Sequence, residues 1–165
     1  MATISPFARP LYVMAKPVGA ACNLHCKYCY YLDKAKLYPG EHNMMDDDTL
    51  ERFIKQYIES QTMGDILFTW HGGEPMLRPV SYYEKIIRLQ QKYAAGRNIA
   101  NSLQTNGTLI TDEYAEFFHK NNWLIGVSID GPREYHDAYR RQANGNPTFD
   151  EVMRGIDTLN HHHVL

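Results

Sequence analysis

Hydrophobic residues along the chain fall into two alternating patterns, short apolar runs and longer stretches with helical spacing. The apolar runs predict strands over 11–16, 65–70, 99–104 and 124–129. Between and after these runs, apolar residues recur every three or four positions, which predicts helices over 46–60, 81–93, 112–120 and 149–160. Strand and helix therefore alternate along most of the chain.

Strands that alternate with helices pair in parallel through right-handed crossovers, which predicts the α/β class. About four such βα units with parallel strands form a partial (β/α) barrel, roughly half of a closed one. Val164 and Leu165 predict the first residues of a further strand. We therefore expect residues 1–165 to be the N-terminal part of one larger domain, with an open sheet edge that favours edge-to-edge association.

Composition and charge narrow the class of protein. The hydrophobic fraction of 44% is typical of a folded chain, and 17 Lys and Arg against 19 Asp and Glu give a net charge of −2. This near-neutral balance predicts neither a nucleic-acid partner nor a membrane surface. No run approaches the ~18 apolar residues of a membrane span, and residues 1–10 lack the apolar core of a signal peptide. The expected location is cytoplasmic.

The unusual segments of the sequence all follow predicted strands. They are the cysteine loop 22–29, HGGEP at 71–75, QTNG at 104–107 and SIDGP at 128–132. In a parallel βα layout, the loops at the carboxyl ends of the strands meet at one mouth of the sheet. We therefore expect the four loops to build a single site.

The chain has three cysteines, Cys22, Cys26 and Cys29, in the pattern C-x₃-C-x₂-C. Three thiols cannot all pair as disulfides, and clustered thiolates are ligands of iron–sulfur clusters. Three protein ligands on a four-iron cluster leave one iron open for an external ligand, as in catalytic metal sites. The alternative is a non-catalytic zinc-binding module with His25 as a fourth ligand, although His25 is adjacent to Cys26 and the spacing is poor.

The cysteine pattern after the first strand, with an aromatic residue before the third cysteine and GGEP after the second strand, resembles the radical S-adenosylmethionine superfamily. The segments CNLHCKYCYY, WHGGEPML, NSLQTNGTLI and VSIDGPREYHDAYR look like those of the anaerobic sulfatase-maturating enzymes. The resemblance runs from about residue 12 to residue 149. These enzymes belong to the SPASM group of peptide-modifying enzymes, and another SPASM peptide modifier is the alternative assignment.

This resemblance implies an oxidoreductase with a [4Fe-4S] cluster whose open iron binds S-adenosyl-L-methionine. Reductive cleavage of that cofactor gives a 5′-deoxyadenosyl radical, which abstracts a hydrogen atom from the substrate. The implied reaction converts an active-site Cys or Ser of a sulfatase to Cα-formylglycine. The implied partners are a sulfatase polypeptide and a reducing electron donor.

The resemblance also implies roles for individual residues. Cys22, Cys26 and Cys29 match the cluster ligands, and no catalytic residue is assigned because the acidic base is expected in a C-terminal part, as is the SPASM region. Tyr28 matches the aromatic residue that packs near the cluster and the adenine of the cofactor, and Gly72, Gly73 and Glu74 match the motif that contacts the amino end of its methionine. Ser128 and Arg140 match positions that bind the methionine and its carboxylate. Tyr31 and Gln104 match positions that line the peptide-substrate side.

Simpler interpretations stand beside these roles. Glycines allow a backbone to approach a ligand closely, and a carboxylate such as Glu74 can accept from an ammonium group, but GGEP is also a typical tight turn. Asn106-Gly107 equally predicts a turn. His136 is isolated in the sequence, which predicts a surface or helix-end position.

Overall fold

The computed structural model describes residues 11–34 and 44–165, and the prediction about a signal segment at 1–10 lies outside them. The described residues form an α/β structure around a parallel sheet with the strand order β1-β2-β3-β4. The strands are β1 (Met14–Ala15), β2 (Asp65–Trp70), β3 (Asn98–Thr105) and β4 (Leu124–Val127). Each strand pairs in parallel with the next along the chain, as the alternating pattern predicts.

Helices connect the strands and follow the last one. They are α1 (Tyr31–Lys34), α2 (Asp47–Ser60), α3 (Val80–Tyr93), α4 (Asp112–Lys120), α5 (Arg133–Tyr139) and α6 (Phe149–His161), with a 3₁₀ turn at Pro75–Leu77. The described part of the chain has no helix that is both long and apolar enough to cross a membrane.

Hydrophobic spacing explains how the helices lie on the sheet. Helix α2 begins at the cap residue Asp46, whose carboxylate accepts from the Thr49 N–H at 2.7 Å. Its buried residues recur at helical spacing and include Leu50 and Ile54. The core between helices and sheet is rich in aromatic side chains, among them the fully buried Phe68, Trp70, Tyr83, Phe118 and Trp123.

The predicted elements agree closely with the structure where the periodicity is strong. The bounds 65–70 and 112–120 are confirmed, and most other bounds differ by one or two residues. The predicted strand 11–16 is wrong in length, because Tyr57 Oη and Gln61 Nε2 donate to the Leu11 carbonyl, which therefore takes no part in the strand ladder. Helix α5 was not predicted because its seven residues carry no apolar stripe, and only His136 is buried.

The sheet continues towards the end of the chain. The Ile125 N–H donates to the Leu165 carbonyl at 2.8 Å, which brings Leu165 beside the outer edge of β4. This hydrogen bond is consistent with the predicted start of a further strand at Val164 and Leu165, although neither residue is in a strand here.

Candidate functional site

The cysteine loop lies between β1 and α1 and is held by the last residue of α5 and the chain that follows it. The His25 N–H donates to the Arg141 carbonyl at 2.7 Å, and the Lys27 N–H donates to the Tyr139 carbonyl at 2.9 Å. An antiparallel bridge joins Leu24 to Gln142. The loop is therefore fixed by backbone pairing to residues more than a hundred positions further along the chain.

The three thiols are free, with Cys26 buried and Cys22 and Cys29 half-buried. Burial raises the pKa of Cys22 to about 11, and burial also raises the pKa of Cys26 against the opposing charge of Arg140. Thiols in such surroundings stay protonated unless a cation binds them.

The donor set fits an iron–sulfur cluster by its chemistry, since three thiols lie on one short loop and the Leu24 N–H points at Cys22 Sγ at 3.3 Å. Across residues 11–34 and 44–165, however, no three His, Cys, Asp or Glu side chains are gathered closely enough to hold a metal. Binding would therefore have to draw the thiols together. The zinc alternative gains nothing from His25, which belongs to no such group.

The glycines after β2 lie against the loop after β1. The Gly73 N–H donates to the Gly19 carbonyl at 2.9 Å, and the Glu74 N–H donates to the Ala21 carbonyl at 2.7 Å. The preceding Gly72 has a φ of +94°. A Cβ on Gly73 would lie 1.8 Å from the Ala21 carbonyl oxygen. The close approach that these glycines allow is therefore to protein backbone, and contact of Gly72 and Gly73 with a ligand stays a prediction.

Glu74 is completely buried and holds two loops together. Its Oε1 accepts from the Met76 N–H at 2.9 Å and from Thr105 Oγ1 at 2.8 Å, and its Oε2 accepts from the Asn106 N–H at 2.7 Å. Burial raises the pKa of this carboxyl group, and the three hydrogen bonds oppose that effect. Glu74 has no exposed surface, and contact of its carboxylate with an ammonium group of a ligand stays a prediction.

Gln104 and Ser128 come together at the carboxyl ends of β3 and β4. Gln104 Nε2 donates to Ser128 Oγ at 2.9 Å. The Gln104 side chain crosses Gly126, where a Cβ would lie 2.2 Å from Gln104 Oε1. Two half-buried polar groups are thus presented at the mouth of the sheet, one predicted for the peptide side and one for the cofactor side.

Tyr28, Asp130 and Arg140 form one cluster beside the cysteine loop. Tyr28 Oη donates to Asp130 Oδ2 at 2.6 Å, and Arg140 Nε donates to Asp130 Oδ1 at 2.8 Å. Partial burial works against the charge on Asp130, but the hydrogen bonds from Tyr28 and Arg140 outweigh it and lower its pKa. Asp130 is not among the site residues predicted from the sequence, and only the structure shows this pairing.

His136 is fully buried and contacts the backbone of Asp130 in that cluster. Its Nδ1 accepts from the Asp130 N–H at 3.4 Å, its Nε2 lies 3.1 Å from Thr148 Oγ1, and the Thr148 hydroxyl donates to the Arg140 carbonyl at 3.0 Å. This order requires a neutral imidazole that donates from Nε2, and burial lowers the pKa of His136 accordingly. The expectation of a surface position is wrong, although His136 does lie in the last turn of α5.

Tyr31 lies at the beginning of α1, beside the loop after β2. Its ring packs against the Tyr30 ring in a tilted arrangement with centroids 4.2 Å apart, and its centroid lies 6.5 Å from that of the His71 ring. The Lys16 ammonium lies 4.7 Å from the Tyr31 centroid, within cation–π range. Tyr31 is therefore at the same mouth of the sheet as the other predicted site residues.

Asn106 is more than a turn residue. Its side-chain amide lies 2.8 Å from Asn23 Oδ1 and 3.8 Å from Cys22 Sγ. The sequence signal for this contact was the QTNG motif itself, but the motif does not show which loop its Asn reaches.

Known proteins have similar sequences and similar structures over nearly the whole chain. A serine-type anaerobic sulfatase-maturating enzyme from Bacteroides thetaiotaomicron is 61% identical over 163 residues, which cover 98% of this chain and 39% of the relative. A cysteine-type enzyme from Clostridium perfringens is 36% identical, over 94% of this chain and 42% of the relative. The solved structure described as native anSMEcpe with bound AdoMet and Cp18Cys peptide is 36% identical and superposes with a TM-score of 0.85, over 94% of this chain and 41% of that one.

The chain thus spans about two fifths of the length of the curated relatives it matches. The model of the family described as the Radical SAM superfamily matches residues 17–164, which include the cysteine loop and the three loops that pack around it. This chain therefore belongs to the radical SAM superfamily.

Proposed function

We propose that residues 1–165 are the N-terminal part of the radical S-adenosylmethionine domain of an anaerobic sulfatase-maturating enzyme. The observation that carries the proposal is the 61% identity to the Bacteroides thetaiotaomicron enzyme over nearly the whole chain. The serine-type relatives from Bacteroides and Klebsiella aerogenes, at 61% and 44% identity, are more similar than the cysteine-type relative at 36%. Serine is therefore the favoured target side chain.

Cys22, Cys26 and Cys29 would hold a [4Fe-4S] cluster, and the mouth around Tyr28 and Arg140 would bind S-adenosyl-L-methionine. When bound, this pair supplies a 5′-deoxyadenosyl radical that abstracts a hydrogen atom. The chain's own contribution is electrostatic and geometric. Asp130 holds the Arg140 guanidinium in place from its Nε side at 2.8 Å, which leaves the remaining N–H groups to meet a carboxylate.

Gln104 and Ser128 would face the reacting partners at the carboxyl ends of their strands. Oxidation of a serine side chain to an aldehyde removes two hydrogens, one as an atom and one as a proton, and one electron must leave for an acceptor. The acidic base and the electron acceptor are proposed to lie in the C-terminal part of the protein. The remaining partners proposed are a sulfatase polypeptide and a reducing electron donor, in the cytoplasm.

The test uses the full-length protein, purified and reconstituted anaerobically with iron and sulfide. We expect the reduced sample to give a [4Fe-4S]⁺ EPR signal that changes when S-adenosyl-L-methionine is added. Incubation with a sulfatase-derived Ser-x-Pro-x-Arg peptide should then yield an aldehyde that mass spectrometry detects as the loss of two hydrogen atoms. A Cys-x-Pro-x-Arg peptide run in parallel compares the two side chains.

A variant that lacks one cluster ligand distinguishes cluster-dependent oxidation of the peptide from background oxidation. Cys26→Ser is expected to lose the EPR signal and the peptide product together. A cluster that responds to S-adenosyl-L-methionine without any oxidation of either peptide would instead favour another SPASM-type peptide modifier. Stoichiometric zinc without sulfide would contradict the proposal and favour the zinc-binding module.

A further inference from the structure

The Asn106 side chain is buried among polar groups between the loop after β3 and the first cysteine. Its Nδ2 is 2.8 Å from Asn23 Oδ1 and 3.8 Å from Cys22 Sγ. Asn106 is 7% exposed, so little water competes for these contacts. The amide nitrogen therefore faces the sulfur in a long N–H···S contact.

Thr108 fixes which way the Asn106 amide points. The Thr108 backbone N–H donates to Asn106 Oδ1 at 3.0 Å, and the Thr108 hydroxyl donates to the same oxygen at 2.8 Å. A backbone N–H can only donate, so this side of the amide must be the oxygen. The NH₂ group is thereby committed to Asn23 and Cys22.

The neighbouring asparagine is oriented by the same network. Asn23 Nδ2 donates to Thr108 Oγ1 at 2.9 Å, which turns Asn23 Oδ1 towards Asn106. The Leu24 N–H donates to Cys22 Sγ at 3.3 Å from the other side. The Cys22 sulfur thus has one donor from its own loop and one from the loop after β3.

We propose that Asn106 is a positioning residue that holds the Cys22 sulfur and stabilises negative charge on a cluster bound there. This inference rests on the proposed function, in which Cys22 is a cluster ligand. N–H groups directed at the sulfurs of an iron–sulfur cluster set its reduction potential, because they stabilise the extra electron of the reduced form. Loss of the Asn106 donor should make the cluster harder to reduce.

The decisive variant is Asn106→Asp in the full-length, anaerobically reconstituted protein. It keeps the oxygen that accepts from Thr108 but replaces the donor near Cys22 with a second carboxylate oxygen. Asn144→Asp is the matched control, since the Asn146 N–H donates to Asn144 Oδ1 at 3.0 Å in the same i to i+2 geometry, in an exposed loop. The measurement is a redox titration of the cluster followed by EPR.

At the midpoint potential of the wild type, the ratio of reduced to oxidised cluster should fall about threefold to tenfold in Asn106→Asp. Tenfold corresponds to about 59 mV for one electron. Asn144→Asp should titrate like the wild type. An Asn106→Asp cluster that is fully loaded and has the wild-type potential overturns the proposal.

Asn106→Leu is the second variant, because it removes the donor without adding a charge. It should shift the potential in the same direction by a smaller amount. If neither Asn106 variant loads a cluster although its far-UV circular dichroism matches the wild type, Asn106 serves only to place the loop that carries Cys22, and the proposed stabilisation of cluster charge is overturned. A wild type that loads no cluster refutes the proposed function instead, so the two failures are distinguishable.

Discussion

The Glu74 carboxylate joins the loops after β2 and β3 from a fully buried position. Two backbone N–H groups, from Met76 and Asn106, and the Thr105 hydroxyl all donate to it. If an NH₂ group replaces Oε1, the donors from Met76 and Thr105 lose their acceptor, and if it replaces Oε2, the Asn106 N–H does, so Gln leaves at least one backbone N–H unpaired in either orientation. Leaving a buried donor unpaired costs more free energy than the hydrogen bond itself contributed, because the donor has also lost its hydrogen bond to water.

Glu74→Gln is therefore expected to lower the free energy of unfolding of the cofactor-free protein by about 1–3 kcal/mol. Urea denaturation followed by circular dichroism measures the change. Glu84→Gln is the matched control, since the Glu84 side chain is more than half exposed and its ion pair with Arg88 is 4.0 Å long. Equal stabilities of Glu74→Gln and the control would contradict this account.

His136 makes the stability of the site depend on pH. Burial and the charge of Arg140 lower its pKa in the folded protein below the ordinary value of 6.5, against the opposing charges of Asp137 and Asp130. As the pH falls, the unfolded state takes up this proton before the folded state does. The contribution of His136 to stability is therefore complete above pH 6.5 and is lost as the pH falls towards the folded-state pKa.

The expected result is that the unfolding free energy of the wild type falls more steeply between pH 7 and pH 5 than that of His136→Gln, which lacks the titrating group. The measurement is a series of urea denaturation curves across that range. His161→Gln replaces an exposed imidazole and should keep the wild-type slope. A His136→Gln slope identical to that of the wild type would argue against the buried neutral imidazole.

Backbone hydrogen bonds join the loops after β1 and β2. The His71 N–H donates to the Ala15 carbonyl at 2.8 Å, and the N–H groups of Gly73 and Glu74 donate to carbonyls within residues 19–21. The cysteine loop begins directly after that stretch. The position of Cys22 therefore depends on how closely the second loop can approach the first.

Gly73→Ala should break this packing, because its Cβ would lie 1.8 Å from the Ala21 carbonyl oxygen, which accepts from the Glu74 N–H. We expect a loss of at least about 1–3 kcal/mol in unfolding free energy and a lower iron-to-protein ratio after reconstitution. Denaturation and iron analysis measure the two effects. Gly64→Ala is the control, since nothing lies within 4 Å of its added Cβ.

The sheet as a whole has open edges in the part of the chain that the structure describes. The outer edge of β4 receives the hydrogen bond between Ile125 and Leu165, and Leu124 on the same strand is 57% exposed. An exposed apolar edge strand is a template for pairing with another chain. Association through this edge stays a prediction.

A polypeptide of residues 1–165 is expected to show concentration-dependent association in light scattering coupled to size exclusion. Leu124→Lys should reduce it, because a charge on an edge strand opposes pairing. Met63→Lys makes the same change at an exposed position that belongs to no strand and should leave association unchanged. A monomer at all concentrations would rule out association through this edge.

Local patterns predicted most of the fold and the composition of the site. Residues 65–70 and 112–120 carry apolar positions at clear spacing, and their bounds were predicted correctly. The strand 11–16 was overestimated, since side chains of α2 bind the Leu11 carbonyl. Helix α5 was missed because its burial rests on one polar residue, His136, which no hydrophobic pattern reports.

The sequence by itself determined the order of the elements, the parallel sheet and the four loops at its carboxyl edge, because periodicity and turn residues act over a few positions. Only the tertiary structure decided what each loop residue contacts. Asn106 reaches Cys22 across 84 positions, and Glu74 is enclosed by residues up to 32 positions away. Such contacts depend on how distant segments pack, so the motif names the residue types while the fold assigns their partners.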